Sequence, residues 1–213
     1  MTYAVKEIYY TLQGEGGQAG RAAVFCRFTG CNLWTGREAD RSHAVCNFCD
    51  TDFVGTDGPG GGSFTTPERL AAAILAEWTR HADRSGRPYV VFTGGEPGLQ
   101  LDSPLIAAVH AEGLEIAIES NGTLPLPAGI DWICVSPKAG AEVVTRTGDE
   151  LKLVYPQAGL LPDDVAGWSF RHFFLQPMDG PDAAVNTQRA TAYCLAHPQW
   201  RLSLQTHKLI GIP

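Results

Sequence analysis

The 213-residue chain carries 16 basic against 23 acidic side chains, a formal net charge of −7, with 44% hydrophobic and 18% charged residues. That length holds one domain with a sizeable core but falls short of a closed eight-unit α/β barrel, and the acidic balance argues against a nucleic-acid partner, whose site needs a basic patch or stripe. No apolar stretch is long enough to span a bilayer, and the N-terminus, Met-Thr-Tyr-Ala-Val-Lys-Glu, lacks the basic region and apolar run of an export signal, so a soluble, cytoplasmic protein acting on a small molecule is expected.

In chain order, Gln13-Gly14-Glu15-Gly16 reads as a loop ahead of a first strand at Ala22–Phe28. The run Gly58-Pro-Gly-Gly-Gly-Ser reads as a flexible surface loop without chemistry. A helix is expected over Pro67–His81, with Thr66 as N-cap and Pro67 at its first position. Strand Tyr89–Thr93, helix Ser103–Glu112 and strands Leu114–Glu119, Asp131–Val135, Leu151–Tyr155 and His172–Gln176 follow, then helix Asp182–Ala196 and an apolar run near Arg201–Gln205. Several of these strands are continuously apolar, as buried parallel strands are. The stretches Ser120–Ile130, Ser136–Glu150 and Pro156–Arg171 are rich in proline or glycine and leave little room for helix. The expected fold is α/β: an incomplete, TIM-like barrel of about six mainly parallel strands and about three helices. Its site should lie in the loops at the C-terminal ends of the strands.

Six cysteines in a chain without an export signal point to reduced thiols serving metal or catalysis. Cys31, Cys46 and Cys49 form a C-x14-C-x2-C set after the first predicted strand. Three thiolates on a cubane cluster leave one iron open for a ligand. Spacing by itself favours zinc, with His43 or Cys26 as a fourth ligand. Cys26, Cys134 and Cys194 lie in strand or helix patterns and read as core.

The surroundings reverse that order. Thr93-Gly94-Gly95-Glu96-Pro97 ends the second predicted strand, where glycine lets backbone amides approach a ligand closely. A three-cysteine loop followed by such a glycine pair resembles the radical S-adenosylmethionine superfamily. Read with Gln13–Gly16, Arg27, Cys49-Asp50-Thr51, Glu119-Ser120-Asn121-Gly122, Ser136-Pro137-Lys138, Gln176-Pro177-Met178-Asp179 and Gln205-Thr206-His207-Lys208, the chain resembles the 7-carboxy-7-deazaguanine synthase family nearly end to end. It departs from the superfamily's C-x3-C-x2-C loop; a subset of the synthases is similar in carrying an enlarged one.

The resemblance implies a single radical S-adenosylmethionine domain over 1–213, with a substrate-binding extension at 1–21, a cluster loop at 31–49 and a C-terminal tail at 200–213 near the site. It implies ring contraction of 6-carboxy-5,6,7,8-tetrahydropterin to 7-carboxy-7-deazaguanine with loss of ammonia, on the route to queuosine and related deazapurines. The implied cofactors are a [4Fe-4S] cluster, S-adenosylmethionine used catalytically through a 5′-deoxyadenosyl radical, and Mg2+. A homodimer and a flavodoxin-like or other reductant are the implied partners. A glycyl-radical activase is a second class with the same cluster, against which Gln13–Gly16 and Ser136–Lys138 count.

For the site, the resemblance assigns Cys31, Cys46 and Cys49 to the cluster. Thr51 offers magnesium a hard oxygen; Asp50 stands behind it or caps a turn. Phe48, Gly94, Gly95, Glu96, Ser136, Lys138, Gln176, Met178 and Asp179 are expected at S-adenosylmethionine. Leu12, Gln13, Gly14, Glu15, Arg27, Thr93, Ser120, His207 and Pro213 are expected at the pterin. Gln13 and Glu15 can satisfy a pterin ring edge. Arg27, on an apolar strand, must face a carboxylate, either the substrate's or that of Glu15.

Overall fold

In the computed structural model, which describes residues 2–83 and 86–213, one nine-stranded sheet runs through the chain. Met1, the first residue of the expected 1–21 extension, lies outside the described residues. The strands are β1 (Tyr3–Leu12), β2 (Ala22–Phe28), β3 (Gly62–Phe64), β4 (Tyr89–Gly94), β5 (Glu115–Ser120), β6 (Trp132–Val135), β7 (Thr147–Tyr155), β8 (Ser169–Pro177) and β9 (Trp200–Leu202). Their order is β3-β1-β2-β4-β5-β6-β7-β8-β9. From β2 through β9 each neighbouring pair is parallel, and only β1 with β2 and β1 with β3 are antiparallel. This is an open, partial α/β barrel with β3 and β9 at its two edges.

The helices are α1 (Pro67–His81), α2 (Ser103–Ala111), α3 (Pro162–Val165), α4 (Ala183–Ala196) and α5 (Thr206–Ile210). Thr66 caps α1 by accepting the Arg69 amide at 3.3 Å, and Asp102 caps α2 through Leu105 at 3.0 Å. Helix α1 buries Leu70, Ala71, Ile74 and Trp78, one stripe at helical spacing, in a core shared with β2, β4 and β5. A second core joins Leu151, Leu153 and Leu175 of β7 and β8 to Ala190 of α4 and Trp200 of β9.

Six strands and three helices undercount this fold. Helices α1, α2 and α4 stand where they were expected; α3 and α5 are added, at four and five residues. Strand β1 escapes a period-two search because its register shifts between Val5 and Glu7, which sets the buried Val5 and Ile8 three positions apart, and because Thr11 is buried on the face opposite Ile8. Gln13–Gly16 therefore lies between β1 and β2, after the first strand rather than before it. Nor is the glycine run a free loop. The Gly58 amide donates to Lys6 O at 3.0 Å and the Ile8 amide to Pro59 O at 2.7 Å, while a β-carbon at Gly61 would lie 2.2 Å from Lys6 O. Glycine is there so that a second backbone can lie against β1, leading into β3.

Candidate active site

A cavity of about 390 Å³ opens at the C-terminal ends of the parallel strands, within the size range of small-molecule sites. Cys31, Cys46 and Cys49 line it together, all three free thiols. The wide gap between the first two is closed by backbone. The amides of Val45 and Cys46 donate to Leu33 O at 3.1 and 3.4 Å, which returns the chain beside Cys31.

Residues between those points form a folded excursion. Arg41 stacks on Trp34 at 4.1 Å, Trp34 meets Phe53 edge-on at 5.6 Å, and one Arg41 nitrogen donates to the carbonyls of Asn47 and Cys49 at 3.0 and 2.9 Å. Asn32 ties the loop to the end of β5 by accepting from Asn121 and donating to Thr123.

The hydrogen bond between Cys46 and Cys49 holds the Cys49 thiol below its ordinary value and pushes Cys46 above it. Burial raises Cys31. The fourth ligands that zinc would need are elsewhere: Cys26 is buried in the core and His43 is exposed, beside Ser42. With neither of these candidates at the thiols, three cysteines suit a cubane with one open iron better than a closed zinc site.

The glycine pair packs directly on this loop. Gly94, at φ +132°, would place a β-carbon 2.2 Å from Phe28 O, and one at Gly95 would lie 2.1 Å from Gly30 O and 2.7 Å from Cys31 Cβ. Thr93, Gly94 and Gly95 line the cavity. Glu96 does not. It is fully buried, accepting from the Gly98 amide at 2.8 Å, the Ser120 hydroxyl at 2.8 Å and the Asn121 amide at 2.7 Å. Burial raises its carboxyl. In place of the expected contact with a cofactor, Glu96 clamps the ends of β4 and β5, because its carboxylate is buried behind the cavity wall and turned to three protein donors.

The remaining expected residues do meet at the cavity wall. Phe48, Asp50 and Thr51 line it with the thiols, as do Ser136 and Lys138 past the end of β6, Gln176 near the end of β8, and Met178 and Asp179 past it. Lys138 donates to Ser136 Oγ at 2.7 Å, and burial lowers its ammonium. Ser203 donates to Gln176 at 3.2 Å. Leu12, Gln13, Gly14, Glu15, Arg27, Ser120, His207 and Pro213 line the same cavity. Lys208 pairs with Asp50 at 2.7 Å and with Asp179, while the Thr11 hydroxyl donates to the Pro213 carbonyl at 2.7 Å. These bonds hold the C-terminal tail against the site.

Arg27 faces Glu7, not Glu15: its Nε donates to Glu7 at 2.8 Å and a terminal nitrogen to the Tyr9 hydroxyl at 2.9 Å. Strand pairing decides this, because Glu7 lies opposite Arg27 in the β1/β2 register. Glu15 instead takes Lys152 Nζ at 2.6 Å and Gln205 Nε2 at 2.9 Å. Lys152 also reaches Glu119 at 2.8 Å. Burial alone would raise the Glu15 carboxyl, but the Lys152 ammonium outweighs it and holds Glu15 well below the usual range.

Sequence reasoning missed Lys152 as a site residue, along with Gln205, Glu7 and Tyr9, and gave Glu119 no role of its own. A signal existed for Lys152: a lysine between Leu151 and Leu153 on an apolar strand must have an anionic partner. Removing it would uncover buried carboxylates, at a cost of roughly 3–5 kcal/mol. Glu119, Cys134 and Glu150 bring ligand atoms within 4.8 Å of one another. Lys152 already supplies the cation there.

An open α/β barrel with three thiols after its first parallel strand, and a glycine pair packed on them from the next, defines the radical S-adenosylmethionine class. No protein-family model matches the chain. It is 68% identical over 214 residues to the 7-carboxy-7-deazaguanine synthase of Bordetella pertussis, and 66% identical over 213 residues to that of Caulobacter vibrioides, with 100% of both chains covered in each case. The crystal structure of QueE from Escherichia coli superposes with a TM-score of 0.68 at 26% identity, covering 96% of this chain and 94% of that one. The chain belongs to the 7-carboxy-7-deazaguanine synthase family, and it is an enzyme, a radical S-adenosylmethionine lyase.

Proposed function

We propose that the protein contracts 6-carboxy-5,6,7,8-tetrahydropterin to 7-carboxy-7-deazaguanine with loss of ammonia, a step toward queuosine and other deazapurines. The reading is supported most by one cavity lined both by three free thiols and by a cationic and anionic set, Arg27, Glu15 and Glu119. Cys31, Cys46 and Cys49 would hold a [4Fe-4S] cluster by three thiolates, which would leave it open to S-adenosylmethionine. With both bound, the pair would supply the one-electron chemistry that begins the reaction by removing a hydrogen from the pterin.

The chain's own groups bind and orient. Backbone groups of Gly94 and Gly95 take the methionyl end of the cofactor, with Phe48 beside it. Ser136 and Lys138 meet its carboxylate or ribose, and Gln176, Met178 and Asp179 its sugar and base. Arg27 uses two of its donors on Glu7 and Tyr9, and the rest of its fork serves the substrate carboxylate. Gln13 and Glu15 read the pterin ring edge with Leu12, Gly14, Thr93, Ser120 and His207, and Pro213 closes that end. Thr51 would offer Mg2+ a hard oxygen; Asp50 is turned to Lys208 and would stand behind it.

The enlarged cluster loop is a variant in which the Arg41–Trp34 excursion replaces a short turn. One domain spans the chain, with the 1–21 extension and the 200–213 tail as walls of its site. A homodimer would cover the open sheet edges, and a flavodoxin-like reductant supplies the electron in the cytoplasm. Among the described residues no helix is long and apolar enough to cross a membrane.

Anaerobic reconstitution tests the reading. Brown protein with about four irons per chain, reductive cleavage of S-adenosylmethionine and conversion of the carboxytetrahydropterin to the deazaguanine are expected. Stoichiometric zinc without iron uptake would refute the cluster. An intact cluster that cleaves the cofactor yet yields no deazaguanine would refute the substrate.

A further inference from the structure

Five side chains form one unbroken chain of hydrogen bonds along the cavity wall. Gln13 Nε2 donates to Glu119 Oε1 at 3.1 Å, Lys152 Nζ donates to Glu119 Oε2 at 2.8 Å and Glu15 Oε2 at 2.6 Å, and Gln205 Nε2 donates to Glu15 Oε1 at 2.9 Å. Four of the five also line the cavity beside Lys152, which is itself a lining residue. They come from the β1–β2 connection, β5, β7 and the segment before α5, so the chain joins the N-terminal part of the fold to its tail. Lys152 is the only cation in it, with a side chain 5% exposed.

We propose that Lys152 is a positioning residue for the pterin, holding Glu15 and Glu119 together as two anions that face the donor-rich aminopyrimidinone edge of the substrate. The inference rests on the functional reading above and concerns a residue that reading does not use. Without a cation between them, two carboxylates at one wall repel each other, which favours leaving a proton on one of the pair. A protonated carboxyl would turn an O–H donor toward a ring edge that itself presents N–H donors. With Lys152 in place, each carboxylate oxygen takes one protein donor and keeps a second lone pair for the ligand. A 2-oxo analogue, which presents an acceptor in place of the 2-amino group, meets repulsion there.

Glu150 lies on the same strand and accepts the Gly17 amide at 2.6 Å, Cys134 faces the group from β6, and Asp50 accepts from Gln205 at 3.4 Å. Lys138 approaches from beyond β6, and His207 acts on Glu15 from α5.

The test compares wild type, Lys152→Met and Lys152→Arg as reconstituted holoenzymes. KM and kcat are measured for the carboxytetrahydropterin, from acid to neutral pH, with its 2-oxo analogue as competitor. Lys152→Met is expected to raise the pterin KM about tenfold or more without changing the KM for S-adenosylmethionine. Its acid limb should move toward neutrality, it should lose discrimination against the 2-oxo analogue, and Lys152→Arg should recover most of the loss. Should Lys152→Met fail to fold, Lys152→Met with Glu15→Gln restores charge balance; it should fold yet bind the pterin weakly, and wild-type binding by it overturns the proposal. If wild type makes no deazaguanine, the functional reading falls and this inference with it. If wild type turns over and Lys152→Met matches it in KM and pH profile, this inference alone falls.

Discussion

The imidazole of His207 lies against Gly14 so closely that a β-carbon at residue 14 would sit 2.0 Å from Nδ1. The contact is locked by backbone: the Thr206 amide and hydroxyl both donate to Gly14 O at 2.9 Å. Helix α5 is therefore seated on the β1–β2 connection, and His207 reaches the cavity only because residue 14 has no side chain.

Gly14→Ala should unseat that helix. Overpacking of this kind costs about 1–3 kcal/mol, and here the strain is relieved by moving the tail. Faster proteolysis of the C-terminal segment and a raised pterin KM, with the cluster spectrum unchanged, are the expected results. Wild-type kinetics with a protected tail would show that α5 does not shape the site.

Arg27 carries its two-pronged contact to Glu7 and Tyr9 while lining the cavity. Arg27→Lys keeps the charge but not the planar fork. It should raise the KM for the carboxylated pterin about tenfold or more and leave cofactor cleavage without substrate unaltered. Glu7→Gln, which frees Arg27 to swing, should give a smaller effect in the same direction.

Arg41 binds the carbonyls of Asn47 and Cys49 within the C-x2-C turn and pairs with Glu38. Arg41→Ala should leave the barrel's thermal transition unchanged and shorten cluster lifetime, read as iron released over time in air. Equal iron loss from variant and wild type would make the excursion an ornament of the loop.

Glu150 is buried, and burial raises its carboxyl above the ordinary 4.5, with the Glu119 charge adding to the effect. A carboxyl raised on folding contributes stability that is fully present below its unfolded value and is lost as pH rises through its folded value. Glu150→Gln keeps an acceptor for the Gly17 amide but does not ionise. The stability of wild type relative to this variant should therefore fall as pH rises from 4.5. Parallel denaturation curves across pH would show that Glu150 titrates alike in both states.

The sequence alone determined the parallel part of the sheet and its site end. Continuous apolar runs such as Tyr89–Phe92 can be buried on both faces only as inner strands, and capped stripes such as Pro67–His81 can be covered only by packing on them. It also brought the three cysteines and the glycine pair into one site, since both follow neighbouring parallel strands. Tertiary structure decided the rest. Pairing register gave Arg27 to Glu7 and not to Glu15, and a shift between Val5 and Glu7 hid β1 from its own periodicity. Two donors from the end of β5, Ser120 and Asn121, and the Gly98 amide after β4 hold the buried Glu96 away from the cavity. Lys152 met Glu15 across 137 positions and Glu119 across 33. Local pattern reports which side chains must be buried, because burial acts residue by residue. Which buried charge faces which is set by strands and loops far apart in the chain, and only the folded barrel brings those together.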